Sequence, residues 1–141
     1  MGTALRLLLV EDNDALAQNL SEILEAEQFS VHRVATAEAG LAAAETAEFA
    51  GVVTDVRLPG ASGLDLLAGL RARGSALPCV VLSAFADEGT VARAEALGAI
   101  DVLAKPVNLP RLFQVVQGFG ARAGGEPGDA ARSEPCPPRR R

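Results

Sequence analysis

Four short apolar runs in this 141-residue chain end on groups that could share one reaction. Leu7-Leu8-Leu9-Val10 runs into Glu11-Asp12, and Val52-Val53-Thr54 reaches Asp55. Val80-Val81-Leu82 stops at Ser83, and Ile100 to Leu103 stops just short of Lys105-Pro106. A carboxylate at the end of a buried strand is costly unless something uses it. Three carboxylates brought together repel one another and are driven to take up protons. A divalent cation removes that penalty. Oxygen-only ligands favour Mg²⁺ over zinc, and no His or Cys stands near these acids to suggest zinc. A carboxylate beside Mg²⁺ can attack phosphorus and form an acyl phosphate. Such transfer depends on positioning and on neutralising the equatorial phosphoryl oxygens. Mg²⁺, the ammonium of Lys105 and the hydroxyl of Ser83 would each serve one oxygen of a phosphoryl group on Asp55.

The elements between these residues must carry them to one place. Leu5 to Val10 reads as a buried strand, because the apolar run does not alternate. Asp12 or Asn13 can cap a helix from about Asp14, with Leu16, Leu20, Ile23 and Leu24 on one face. A strand follows near Ser30 to Val34, then an Ala- and Glu-rich helix over 37–48. A third strand runs from Gly51 to Thr54 and delivers Asp55, after which Pro59-Gly60 turns the chain. A helix over about 63–73 places Leu64, Leu67 and Leu70 together, and Gly74-Ser75 stops it. Cys79 to Leu82, an Ala-rich helix over about 87–97, Ile100 to Leu103 and a helix from Leu109 to Phe119 complete the series. The fold class is therefore α/β: five βα units, (βα)5, as a doubly wound parallel five-stranded sheet with helices on both faces. In such open sheets the ligand sits beyond the carboxyl ends of the strands, where all of these polar residues fall.

Composition bounds the rest. Residues 1–121 hold 8 basic and 15 acidic residues, while the last twenty carry five Arg against three acids. An acidic body argues against direct nucleic-acid binding by the folded part. Lys105 is the single lysine among thirteen basic residues. No run reaches the length of a membrane helix, and the start has no signal-peptide pattern, so a cytoplasmic location is expected. Residues 122–141, rich in Gly, Pro and Arg, read as a disordered tail behind a domain over 1–121. Cys79 is expected to be a buried thiol, Cys136 an exposed one, and His32 a surface residue.

Taken in order, Leu8-Leu9-Val10-Glu11-Asp12, Asp55-Val56-Arg57-Leu58-Pro59-Gly60, Ser83-Ala84, and Gly98 through Lys105-Pro106 resemble the receiver domain of two-component response regulators. The resemblance covers roughly residues 5–119. It implies a flavodoxin-like sheet in strand order 2-1-3-4-5 and assigns roles residue by residue. Asp55 matches the phosphoacceptor, served by a sensor histidine kinase or a histidine phosphotransfer protein. Asp12 matches the direct Mg²⁺ ligand, Glu11 its water-mediated partner, and the backbone carbonyl of Arg57 a further ligand. Ser83 matches the hydroxyl that turns toward the phosphoryl group, and Lys105 the lysine that pairs with it. Lys105-Pro106 matches a bond that is usually cis. The resemblance implies a switch rather than an enzyme, one that catalyses only its own phosphorylation and dephosphorylation. An unidentified protein would be the downstream target. One position departs from the pattern: Val102 stands where such receivers usually carry Tyr or Phe.

Val102 motivates a second reading, a receiver-like binding module without a working phosphorylation cycle. A third uses Asp12-Asn13-Asp14 as the acid pair of a haloacid-dehalogenase phosphatase, for which the chain is short. A nucleotide-binding sheet would need a Gly-rich loop where the first strand instead ends in acid. The resemblance implies that the fourth helix, fifth strand and fifth helix form the face used for dimers or targets; here that face is Ala-rich and small, so a monomer or weak dimer is expected. The sequence leaves open whether this is a stand-alone receiver or part of a longer regulator.

Overall fold

The computed structural model describes residues 5–84 and 87–124, the last five of these as helical backbone. Five strands alternate with five helices: β1 Leu5–Val10, α1 Asp14–Ala26, β2 Phe29–Val34, α2 Ala37–Thr46, β3 Gly51–Asp55, α3 Gly63–Ala72, β4 Cys79–Ser83, α4 Glu88–Ala96, β5 Asp101–Ala104 and α5 Leu109–Gly124. All strand pairings are parallel, in the order β2-β1-β3-β4-β5. The expected doubly wound, flavodoxin-like sheet is the one observed.

Helix starts follow local capping chemistry. Asn13, Thr36, Ser62 and Asp87 each accept a hydrogen bond from a first-turn amide of α1, α2, α3 and α4. Asn108 does the same for α5, its Oδ1 accepting from the Arg111 N–H at 3.0 Å. Ser62 and Asp65 complete a reciprocal box, each side chain bonded to the other's backbone N–H.

The strands β1, β3 and β4 bury both faces and so divide the core in two. Leu7, Leu9, Val53, Val80 and Leu82 face α1 and α5, meeting Leu20, Leu24, Leu112, Val116 and Phe119. Leu8, Val10, Val52, Cys79 and Val81 face the other way, onto Leu64, Leu66, Leu67 and Leu70 of α3 and Ala94 of α4. The α4 contribution is small, as its Ala-rich sequence implies; Val91 and Leu97 are only half-buried. The Phe119 ring packs against Gly51, where any Cβ would overlap it.

Several bounds differ from the sequence reading; α2, for one, ends at Thr46 rather than at 48. β5 spans Asp101–Ala104 rather than starting at Ile100; the Ile100 N–H still bonds the Cys79 carbonyl at 2.7 Å, but its side chain is exposed. α5 runs past Phe119 to Gly124. Of the expected tail, residues 125–141 lie outside the described residues, and so does Cys136. Cys79 is buried as expected, and burial pushes its thiol up to about 11. Among the described residues no helix is long and apolar enough to cross a membrane.

Candidate functional site

β1 ends at Val10 and α1 begins at Asp14, so Glu11, Asp12 and Asn13 form a three-residue loop over the carboxyl edge of the sheet. The Glu11 N–H donates to the Val34 carbonyl at 3.0 Å and carries the β1–β2 ladder one step further. The Glu11 side chain turns inward and is 1% exposed. Its Oε2 accepts from the Asn13 N–H at 3.1 Å. Asp12, next along, is exposed at the rim.

Asp55 closes β3 and is 5% exposed. Three contacts fix its backbone and carboxylate. The Thr54 hydroxyl donates to the Asp55 carbonyl at 3.0 Å. Gly63, the first residue of α3, packs against that same carbonyl so closely that a methyl group there would overlap it. The Arg57 N–H donates to Asp55 Oδ1 at 3.2 Å. The Val56 N–H and C=O tie the following loop to Leu82 and Gly63, both at 2.9 Å, and Gly60 makes the turn at φ 78°.

Ser83 is the last residue of β4 and is 4% exposed. Its carbonyl accepts from the Lys105 N–H at 2.9 Å, and the Lys105-Pro106 bond is cis, as the resemblance implied. From this position the Lys105 ammonium reaches back across the edge. It lies 2.7 Å from Asp55 Oδ2 and 3.3 Å from Glu11 Oε1.

One carboxylate oxygen from each of Glu11, Asp12 and Asp55 can be chosen so that all lie within 4.8 Å of one another. At an effective dielectric near 20, the two buried charges of Glu11 and Asp55 repel by about 3 kcal/mol at such a separation. Burial, reinforced by the charge of Asp55, holds Glu11 above its ordinary range despite the Asn13 amide and Lys105. Burial pulls Lys105 down, but the hydrogen bond and charge of Asp55, together with Glu11, outweigh it and leave the ammonium raised. One ammonium against three acids leaves an excess of negative charge. All-oxygen donors with one rim ligand and two buried ones fit a hard divalent cation that keeps part of its water.

The edge thus brings together Glu11, Asp12, Asp55 and Lys105 by their side chains, and Ser83 by its backbone link to Lys105. Arg57 contributes its N–H to Asp55, while its side chain is exposed. His32 is also exposed and stacks at a tilt on Phe49, away from these acids. Three contributors escaped the sequence reading: Thr54, Gly63 and Arg33. Arg33, near the end of β2, donates from both Nε (3.0 Å) and Nη2 (2.7 Å) to the Glu11 carbonyl. Nothing in an alternating strand sequence points to that contact. Gly63 was legible only as a helix start.

The model of the response regulator receiver domain matches residues 7–117. The chain belongs to this family. Transcriptional regulatory protein FixJ of Azorhizobium caulinodans is 34% identical over 137 residues, spanning 95% of this chain and 64% of FixJ. Acid tolerance regulatory protein ActR of Rhizobium meliloti is 35% identical over 102 residues, spanning 72% of this chain and 53% of ActR. The structure of chemotaxis response regulator CheY4 of Vibrio cholerae has a TM-score of 0.75 at 25% identity, covering 83% of this chain and 99% of that one. The chain therefore spans less than two thirds of the length of these two curated relatives. Receiver domains of response regulators are signalling modules of two-component systems.

Proposed function

We propose that this receiver accepts a phosphoryl group on Asp55 in a Mg²⁺-dependent reaction and thereby changes what it binds. The observation that carries the reading is the Lys105 ammonium set 2.7 Å from Asp55 Oδ2 inside a buried acidic edge. An Asp55 oxygen attacks phosphorus of a phosphohistidine on a sensor kinase or phosphotransfer protein. The P–N bond breaks, its electron pair returns to the imidazole nitrogen, and an acyl phosphate forms on Asp55. Glu11, Asp12 and Asp55, with the Arg57 carbonyl, would hold Mg²⁺, which supplies charge neutralisation for the transferring oxygens. Lys105 pairs with a phosphoryl oxygen once Asp55 is phosphorylated, since its ammonium already faces that carboxylate. The Ser83 hydroxyl serves another oxygen. The Arg57 N–H keeps the acceptor carboxylate from turning away, and the Thr54 hydroxyl holds the Asp55 backbone carbonyl.

The experiment is incubation of the protein with acetyl phosphate and Mg²⁺, followed by intact-mass analysis. A gain of one phosphoryl group is expected, lost with EDTA and absent in Asp55→Asn. A wild-type protein that never gains mass would end this reading and favour the second one, a binding module without a phosphorylation cycle.

Val102 supports keeping that second reading. It pairs with Val81 in the sheet, is half-buried and packs on the α3–α4 side of the core. A short branched residue there has no ring to swing as Ser83 shifts. Inverting a 1:99 equilibrium takes about 5.5 kcal/mol of preference between states. In this receiver that preference would have to come from Ser83, Ala84 and α4. A monomer or weak dimer without direct nucleic-acid contacts, acting through a protein target inside the cell, completes the proposal.

A further inference from the structure

We infer that Arg33 is a positioning residue for the Mg²⁺-binding loop, holding Glu11 and Asp12 in place through the peptide that joins them. The inference rests on the Mg²⁺-dependent reading above and adds a residue to it.

Glu11 is the first residue past β1. Its N–H is taken up by Val34, and its carbonyl has left the strand ladder. Arg33 supplies the donors for that carbonyl, with Nε at 3.0 Å and Nη2 at 2.7 Å. Two N–H groups of one planar guanidinium on one oxygen fix its direction more firmly than a single flexible donor can. The same Nη2 lies 2.9 Å from Asp14 Oδ1. That ion pair contributes little, because the Asp14 side chain is 90% exposed, whereas Arg33 is 29% exposed. The weight of the contact therefore falls on the Glu11 carbonyl.

The carbonyl belongs to the peptide between Glu11 and Asp12. Fixing its direction fixes both residues' approach to the edge. The Glu11 carboxylate is separately held by the Asn13 N–H and by Lys105. With Arg33 on its carbonyl and Val34 on its N–H, Glu11 is restrained by four residues. Asp12, exposed at the rim, gains its placement chiefly from the shared peptide.

Arg33 also has a contrary effect. It is a cation near a site for a cation, and simple repulsion would make Mg²⁺ bind more weakly in its presence. The two effects have opposite signs, so affinity separates them. Losing a residue that orients a metal ligand typically weakens binding by about 10–100-fold.

Isothermal titration of the metal-free protein with MgCl₂ tests this, on wild type, Arg33→Ala, Arg33→Lys and Asp14→Asn. Arg33→Ala is expected to bind Mg²⁺ about tenfold more weakly. Arg33→Lys keeps the charge and loses the fork, and is expected to fall between Ala and wild type. Asp14→Asn is expected to stay near wild type. Melting in EDTA provides the control that a merely structural role would move: a lower Tm there, with an unchanged Mg²⁺ affinity, overturns the inference. So does equal or tighter Mg²⁺ binding by Arg33→Lys, a variant that keeps the cation and helps should Arg33→Ala fail to fold. A wild-type protein that binds no Mg²⁺ is a different failure: it removes the underlying reading, and the role of Arg33 with it.

Discussion

β3 is buried along its whole length, yet its two ends could hardly be less alike. At Gly51 the missing side chain admits the ring of Phe119, and α5 is locked onto the sheet. At Asp55 the chain buries a carboxylate beside another carboxylate and leaves one ammonium to serve both. The amino end is solved by packing and the carboxyl end by charge. Nearby, the amino side repeats its own solution in polar form. The Arg71 guanidinium donates to the carbonyls of Ser75, Leu77 and Leu97 at 2.7–3.1 Å, and nothing there asks for a further ligand. The carboxyl side keeps an excess of negative charge that another ion would relieve. Packing is concentrated at one end of the strand, and charge at the other.

The comparison can be broken at either end. The largest effect expected is from Phe119→Ala, which opens a cavity over Gly51 and should cost about 3–5 kcal/mol in urea unfolding. Mg²⁺ affinity of the folded variant should not change; a parallel loss would mean that the two ends are coupled. Gly63→Ala comes next. Its methyl group must push against the Asp55 carbonyl, an overpacking worth about 1–3 kcal/mol. Here the stability loss should be accompanied by slower phosphorylation from acetyl phosphate, because the acceptor backbone itself moves. Normal phosphorylation kinetics in a destabilised Gly63→Ala would show that Asp55 is placed by something else.

The smallest effect sharpens the contrast through pH. Glu11 titrates above its ordinary value of 4.5, so the folded protein holds this proton more tightly than the unfolded chain. Its contribution to metal-free stability is therefore present at low pH and lost as pH rises through the raised folded value. Glu11→Gln cannot titrate. The unfolding free energy of Glu11→Gln minus that of wild type should then grow between pH 4.5 and neutrality in EDTA. Saturating Mg²⁺ should shrink that growth. A difference independent of pH would mean that the acid cluster carries no electrostatic cost.

The contrast also explains what could be read early. Every strand and helix was legible: β1, β3 and β4, buried on both faces, show as apolar runs and the helices largely as one-sided spacing, while β2 and β5 fill the places left between helices. Their bounds were softer where sequence carries little contrast: Ile100 is as apolar as a strand residue yet exposed, and α5 passes through two glycines, Gly118 and Gly120, before it reaches Gly124. The site acids, Ser83 and Lys105 were legible because each ends an apolar run. Thr54, Gly63 and Arg33 were not, since their roles are contacts with backbone carbonyls, and a carbonyl leaves no mark in a sequence.

By itself the order of residues determined the alternation of elements and the set of polar groups delivered to one sheet edge, since periodicity and strand ends are local properties. Only the tertiary structure decided that Lys105 bridges two acids 94 and 50 residues away, that Gly63 must lack a side chain beneath Asp55, and that Arg33 grips the loop beside them. Those are distances between strands, and they exist only once the sheet has set its register.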